Sequence, residues 1–196
     1  MKKTEKILLG LILITNITFG VYVYYSIEGR IEGISAIMMV NYLAMITLPA
    51  YYLVGSKFSH FAISMLCFIL LPLGMLFKMQ HWPSGTVLFM IGIFGYFSSG
   101  VQLLLEKSKL QMTTVSRIAI MALAISSIAV VLKVFVTQIV GYIDIERFLQ
   151  LIIMISALFL LVSERHKISA TQAKLTTVLF MHSFLPLCFW VVALLR

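Results

Sequence analysis

Residues 77–85 read FKMQHWPSG, a short polar and aromatic stretch between two long apolar runs. The runs on either side cover about residues 60–77 and 84–105. Each is close to the roughly 20 apolar residues that a helix needs to cross a bilayer. Pro83 and Gly85 favour a turn between them. The stretch therefore predicts a tight hairpin of two membrane-spanning helices, and the rest of the chain repeats this alternation of apolar run and short polar connection.

The composition of the whole chain supports this interpretation. Of its 196 residues, 61% are hydrophobic and 11% are charged, whereas soluble domains average about 45–50% apolar and about 25% charged residues. Lipid must therefore solvate part of the apolar surface. The spans leave no room for a soluble catalytic or nucleic-acid-binding domain. We assign the net charge of +8 to basic cytoplasmic loops and expect no nucleic acid as a partner.

Seven apolar runs predict an all-α, polytopic transmembrane bundle that forms a single domain over residues 1–196. Barrel strands would show an alternating pattern that these runs lack. The first run ends in tyrosines rather than in a small-residue cleavage site, which favours a span over a signal peptide. The predicted spans cover about residues 7–25, 34–54, 60–77, 84–105, 118–140, 145–162 and 175–195.

The basic residues predict the orientation of the bundle. With seven spans, the N-terminus and the connections at 55–59, 106–117 and 163–174 face the same side, and together they hold ten of the fifteen Lys and Arg residues. Basic loops stay in the cytoplasm. We therefore expect a multi-pass membrane protein with a cytoplasmic N-terminus, an external C-terminus and an outward-facing turn at 77–85.

Three side chains in this turn are candidate functional residues. Trp82 suits the headgroup layer because its indole is apolar with one polar donor, and Lys78 can raise its ammonium group to water. Histidine side chains in general change charge near neutral pH, which makes His81 the third candidate. Ser84 is expected to cap the following helix. The turn could be a simple anchor, a proton-sensing or ion-pathway element that uses Lys78 and His81, or a docking site for another protein.

Residues 73–85, LGMLFKMQHWPSG, resemble the LGxLFKxxHWPG hairpin of GldL-related inner-membrane proteins of Bacteroidota. In that family a transmembrane hairpin belongs to the motor of gliding and type IX secretion, and the hairpin also recurs in small multi-span proteins of the same bacteria. The resemblance covers about residues 64–105 and implies the hairpin and the inner-membrane setting. A GldL-type motor subunit has an acidic residue in the helix after the hairpin and a long cytoplasmic domain. Residues 84–105 contain no acid, so the resemblance does not imply proton-driven torque.

Lys133 stands in an apolar run, in a context that weakly repeats the one before Lys78. Either it ends the fifth span, with residues 134–142 forming a re-entrant or interfacial segment, or it lies inside the span and reaches the headgroups with its stem. An ionisable residue within a membrane is a functional candidate. Asp144 and Glu146 follow closely and are its expected partners.

Other polar and small residues within the runs predict helix contacts. His182 lies in mid-span, four residues before Pro186, and is expected to hydrogen-bond to a neighbouring helix, with ligand binding or proton relay as the alternative. Asn16 is expected to bond to a neighbouring helix as well. Glycines at 92, 95 and 100 predict close helix approach and place the fourth span in the bundle interior. The cysteines at 67 and 188 are expected to pack as small apolar residues.

The residue pattern predicts neither catalysis nor a metal or other cofactor. The four histidines are scattered, and no phosphate-binding loop or dinucleotide fingerprint occurs. We expect a non-catalytic subunit or accessory factor of a membrane complex for gliding, type IX secretion or the envelope, with the bilayer and other membrane proteins or further copies as partners. The alternative is a small transporter or sensor that uses Lys133, His182 and the outer acids. A polar cavity that unites Lys133, His182 and Asp144 would favour this alternative.

Overall fold

The computed structural model describes the backbone of residues 3–27, 34–54, 56, 59–107, 111–140 and 144–194, and the side chains of 3–22, 36–54, 56, 59–107, 111–133 and 148–184. Over these residues the chain is all-α and contains no strand, as the sequence predicted. The helices are α1 (Lys3–Ile27), α2 (Ile34–Leu53), α3 (His60–Met79), α4 (Gly85–Leu105), α5 (Thr114–Val140), α6 (Asp144–Val162) and α7 (Ala170–Leu194).

Five of the described helices are long and apolar enough to cross a membrane. Large apolar side chains such as Ile14 and Phe94 lie exposed on their outer surfaces, which suits a lipid surrounding better than water. The fold is therefore compatible with a membrane protein. The five segments are Lys3–Tyr22, Ala36–Leu53, His60–Met79, Gly85–Leu105 and Thr114–Lys133, and Phe148–Val162 in α6 is a shorter apolar stretch.

Helix α7 occupies the centre of the bundle. Helices that are consecutive in the chain pack side by side, and α7 packs against α1, α2, α3, α4 and α6. Nearly all its side chains from Gln172 to Ser183 are buried. The prediction that the fourth span lies in the interior was wrong, because α4 exposes an apolar outer face that includes Val87 and Leu105. Glycines indicate how closely two helices approach, but they do not indicate which helix is central. The polar residues of α7 make it costly to place that helix against lipid.

The start of α7 is fixed by a capping box. The Ser169 backbone N–H donates to Gln172 Oε1 at 2.9 Å, and the Gln172 N–H donates to Ser169 Oγ at 3.0 Å, so two N–H groups at the helix start gain partners. The Gln172 side chain also donates from Nε2 to the carbonyl oxygen of Glu106, just beyond α4, at 2.9 Å. The box starts α7 at Ala170, five residues earlier than predicted, and ties it to the end of α4.

The same end of the bundle carries most of the described basic side chains. The Lys174 ammonium lies 5.3 Å from the ring centroid of Tyr52 in α2 and 5.6 Å from that of Phe61 in α3, within cation–π range. In the α6–α7 connection, Lys167 pairs with Glu164 at 2.8 Å, and this hydrogen-bonded contact holds the pKa of Glu164 below its usual range. At this end of the bundle α1, α3, α5 and α7 begin and α2, α4 and α6 end, and we call it the basic end. The turn at 77–85 lies at the opposite, hairpin end.

Helices α3 and α4 approach each other almost to backbone contact. A Cβ atom added at Gly74 would collide with the backbone of Phe89, and one added at Gly92 would collide with the backbone of Leu71. One at Gly95 would lie 3.0 Å from a side-chain carbon of α3. The close approach predicted for the glycines at 92 and 95 is confirmed, and the two helices form an antiparallel hairpin with a fixed register.

We predict that Gly92→Ala destabilises the protein and that Gly10→Ala does not. Overpacking costs about 1–3 kcal/mol, which exceeds the roughly 0.5–1 kcal/mol that alanine gains over glycine in a helix. At Gly10 an added Cβ would have no neighbour within 4 Å. The measurement is thermal unfolding in detergent, followed by labelling of the buried Cys67 thiol in a Cys188→Ser background. Equal unfolding temperatures for Gly92→Ala and the parent would contradict the close α3–α4 approach.

Candidate functional site

The turn at 77–85 begins with a Schellman motif at the end of α3. The Trp82 N–H donates to the Phe77 carbonyl at 2.9 Å, and the His81 N–H donates to the Lys78 carbonyl at 3.3 Å. His81 takes the left-handed position of the motif, with φ of 54°, where glycine is usual. The rings of Phe77 and Trp82 meet edge to face with centroids 5.0 Å apart, which supplies the apolar contact that often accompanies this motif.

The chain then enters α4 through a second left-handed residue. Ser84 has φ of 68°, and its side chain makes no capping hydrogen bond, so the predicted cap was wrong. A capping serine normally has extended backbone angles that aim its oxygen at the first turn, and the tight reversal does not allow them here. The Ser84 carbonyl still accepts the N–H of Leu88 at 3.0 Å. A Cβ at Gly85 would lie 2.7 Å from the backbone nitrogen of Lys78, so only glycine fits this contact.

All three predicted candidates are exposed at this turn. Trp82 is 56% exposed, and His81 and Lys78 are exposed beside it. The Lys78 ammonium lies 5.5 Å from the ring centroid of Phe89 in α4, which is within cation–π range. The side chains are therefore held on a turn whose backbone is already ordered, and we call these three residues the hairpin-end surface.

His182 is the second candidate, and it lies in the core of the bundle. It is 3% exposed, and its ring centroid is 4.8 Å from that of Phe68 in α3. The backbone of Phe68 in the neighbouring α3 interacts with the imidazole, and the hydrogen bond to a neighbouring helix stays a prediction. Nδ1 lies 3.1 Å from the Val178 carbonyl of its own helix. Residues four apart in a helix lie on the same face, which favours this local bond. Nε2 has no hydrogen-bond partner among the described residues.

Two prolines leave backbone carbonyls near His182 without their helical donors. Proline has no N–H, so Pro72 in α3 cannot donate to the Phe68 carbonyl, and Pro186 in α7 cannot donate to that of His182. In membranes, neighbouring side chains or ordered waters satisfy such freed groups. The relation between Pro186 and His182 is visible in the sequence. The contribution of Pro72 depends on the packing of α3 against α7, which the sequence does not show.

His182 belongs to a group of buried polar residues at one level of the bundle. Five helices carry a buried polar side chain 12 or 13 residues from the basic end, which is about 18–20 Å at roughly 1.5 Å per residue. This distance lies well inside a hydrocarbon core of about 30 Å. We call this group the mid-bundle polar layer. Its members are Asn16, Asn41, Ser126, Ser127, Gln150, His182 and Ser183.

Only part of the layer is satisfied by hydrogen bonds. Asn41 Nδ2 donates to Asn16 Oδ1 at 2.7 Å, so the interhelical bond predicted for Asn16 is confirmed, and Ser127 donates to the carbonyl of Leu123 at 2.7 Å. An unsatisfied group in hydrocarbon costs several kcal/mol, so a hydrogen-bond partner for such atoms would stabilise the bundle. The buried atoms of the layer that have no hydrogen-bond partner among the described residues are Asn16 Nδ2, Asn41 Oδ1, Gln150 Oε1, His182 Nε2 and Ser183 Oγ.

Lys133 lies at a different level from His182. The α5 helix runs without interruption past Lys133 to Val140, so residues 134–140 continue the helix instead of forming a separate re-entrant segment, and the interfacial alternative stays a prediction. Lys133 is 19 residues from the start of α5, about 28 Å from the basic end and about 10 Å beyond His182. Because of this difference in level, the structure does not bring Lys133 and His182 together. The side chains of Asp144 and Glu146 lie outside the described residues.

The early start of α5 explains the position of Lys133. Thr113 Oγ1 accepts the backbone N–H of Ser116 at 3.2 Å, which is a capping bond. It starts the helix at Thr114, four residues before the predicted start of the span. The segment Thr114–Lys133 has 20 residues and is apolar enough to cross a membrane. By length alone, Lys133 can thus mark the far boundary of the span.

Known proteins add no information on the function. No model of a known protein family, no curated protein and no solved structure matches this chain. Among the described residues, no group of three or more His, Cys, Asp or Glu side chains is placed to hold a metal ion. The geometry of the hairpin-end surface and of the mid-bundle polar layer is therefore the basis for the functional argument.

We predict that Asn16 and Asn41 are energetically coupled. Either Asn→Leu change leaves one buried amide without its partner, whereas the double change removes both amides. Double-mutant cycles within membranes give coupling energies of about 0.6 kcal/mol on average and up to about 1.7 kcal/mol. The measurement is the free energy of unfolding in mixed micelles for all four proteins. Asn16→Leu combined with Ser127→Ala is the matched control and should be additive, because Ser127 bonds within its own helix. Additivity of the asparagine pair would show that the bond does not contribute.

Proposed function

We propose that this protein is a non-catalytic integral protein of the bacterial inner membrane and a subunit or accessory factor of a membrane complex. In this proposal all seven helices cross the membrane, with the N-terminus in the cytoplasm and the C-terminus outside. The basic end then faces the cytoplasm, in line with its lysines and arginines, and the hairpin-end surface faces outward.

The observation that carries the proposal is the ordered and exposed turn at the hairpin end. Trp82 is 56% exposed, and tryptophan is among the residues that contribute most to protein interfaces. The Schellman motif and the glycine contacts order the turn before any partner arrives, which lowers the entropy cost of binding. A lipid anchor would also place an indole at the membrane surface. The two roles differ in whether Trp82 has a protein neighbour in the native membrane.

The sequence of this hairpin supports the class of complex. Residues 73–85 resemble the hairpin of GldL-related proteins of Bacteroidota, so we propose a complex that serves gliding, type IX secretion or the cell envelope. The partner is another membrane protein or a second copy of this chain. The apolar outer faces of α1–α6 provide further surface for contacts within the membrane.

A small transporter or sensor is the second candidate function. The mid-bundle polar layer favours it, because buried polar atoms without partners are suited to hold water or a polar solute. Lys133 lies about 10 Å from His182 along the bundle axis. A path that uses both residues would therefore have to connect two levels, and the outer acids Asp144 and Glu146 would extend it further.

We predict that the two ends of the bundle are accessible from opposite sides of the membrane. In a background of Cys67→Ser and Cys188→Ser, a membrane-impermeant maleimide added to spheroplasts should label His81→Cys. It should label Lys107→Cys only after the membrane is permeabilised. Both native residues are exposed, so the comparison is matched. The reverse pattern would invert the proposed orientation, and labelling of both from one side would exclude this arrangement of spans.

We predict that Trp82 has a protein neighbour in the cell. A photo-crosslinking amino acid at position 82 should give a discrete protein adduct, whereas one at Leu132, which is 58% exposed on α5 towards the same end, should give none. Trp82→Ala should weaken retention of the partner about thirtyfold, the equivalent of about 2 kcal/mol for an interface hot spot. Two differently tagged copies distinguish self-association from another protein. If position 82 crosslinks only to lipid, the turn is an anchor and the docking proposal is wrong.

A further inference from the structure

A cleft of about 320 Å³ opens at the basic end, between the end of α4, the start of α5 and the start of α7. Its polar part contains Glu106, Arg117 and Gln172, and its outer walls include Leu104 and Met121. It shares none of these residues with the hairpin-end surface or the mid-bundle polar layer. Whatever binds in this cleft would therefore act separately from the proposed docking and transport roles.

The polar part of the cleft presents opposite charges. Glu106 is held in place because Ser169 Oγ donates to its Oε1 at 3.2 Å and because its carbonyl accepts from Gln172. Glu106 also borders a second cleft of about 360 Å³ on the α3 side of α4. Arg117, in the first turn of α5, is exposed and supplies the positive charge. A ligand that matches the cleft carries both a cation and an anion.

The apolar walls join the cleft to the outer surface of the bundle. Leu104 is 49% exposed and Met121 is 53% exposed, and both belong to helices long and apolar enough to cross a membrane. Glu106 directly follows the apolar α4 helix, and Arg117 lies near the start of α5. The charged part therefore lies where the apolar helices end, which is the level of lipid headgroups, while the walls continue toward the acyl chains.

We propose that this cleft binds a phospholipid with a primary ammonium headgroup, of the phosphatidylethanolamine type. The guanidinium of Arg117 would bind the phosphate, the Glu106 carboxylate would accept charge-assisted hydrogen bonds from the ammonium, and the acyl chains would lie along Leu104 and Met121. A choline headgroup fits less well, because its ammonium cannot donate hydrogen bonds and no residue that lines the cleft is aromatic. A purely anionic headgroup would be repelled by Glu106.

The test measures which of two lipids stays bound to the protein. The protein is reconstituted in nanodiscs with equal amounts of phosphatidylethanolamine and phosphatidylcholine, and bound lipid is counted by native mass spectrometry after release. We expect about a tenfold preference for phosphatidylethanolamine, the size typical of a hydrogen bond to a charged group. Glu106→Gln keeps an acceptor for Ser169 and should abolish the preference. Arg117→Gln should lower the occupancy of both lipids while the preference remains.

Two controls separate the site from general effects. Glu164→Gln removes another acid at the same end, one that is engaged by Lys167, and should leave the preference unchanged. Glu106→Asp keeps the charge and should keep a preference even if Glu106→Gln fails to fold. Equal binding of the two lipids by the parent protein, a preference that survives in folded Glu106→Gln, or stronger binding of phosphatidylglycerol would each overturn the proposal. Displacement of the lipid by equimolar glycerophosphoethanolamine would show that a soluble headgroup suffices, and the lipid assignment would be wrong.

Discussion

The scarcity of hydrogen-bond partners in hydrocarbon is the constraint on which this structure depends. Each backbone and side-chain polar group at membrane depth must be paired within the protein or held next to enclosed water. This explains why the described chain is helical and why α7 lies at the centre. Its described part carries Gln172, Thr176, His182 and Ser183, whose burial removes them from contact with lipid. The surrounding helices turn apolar faces outward instead.

The hairpin of α3 and α4 shows how close packing at depth determines a structure at the surface. Without a hydrophobic driving force between helices in lipid, small residues that let backbones approach contribute much of the association. The contacts at Gly74 and Gly92 fix the register of the two helices. That register leaves a short connection, which the chain closes with left-handed residues at His81 and Ser84. The exposure of Trp82 therefore results from packing several turns away.

The parts of the fold that the sequence predicted are those that depend on local properties. Apolar runs predicted a helix for each span, and the glycines at 92 and 95 and Asn16 predicted close approach and an interhelical bond. The errors concern properties that depend on other helices. The central position of α7 and the level of Lys133 relative to His182 follow from packing and from where each helix starts. The predicted Ser84 cap was wrong because the chain reversal imposes a left-handed backbone angle, which the residue type does not reveal.

The mid-bundle polar layer follows from the same constraint, applied to all helices together. In lipid a polar side chain gains most from another polar side chain at the same depth, so Asn16 and Asn41 pair across α1 and α2. Asparagines in two antiparallel helices can pair only if they lie about equally far from the same end of the bundle. Asn16 and Asn41 have this spacing from the basic end. Gln150, His182 and Ser183 have the same spacing, and they retain atoms without partners among the described residues, as do the two asparagines. Pairing between helices therefore accounts for only part of the layer. The remaining atoms, together with the carbonyls freed by Pro72 and Pro186, are where an enclosed water or a small polar solute would stabilise the bundle most.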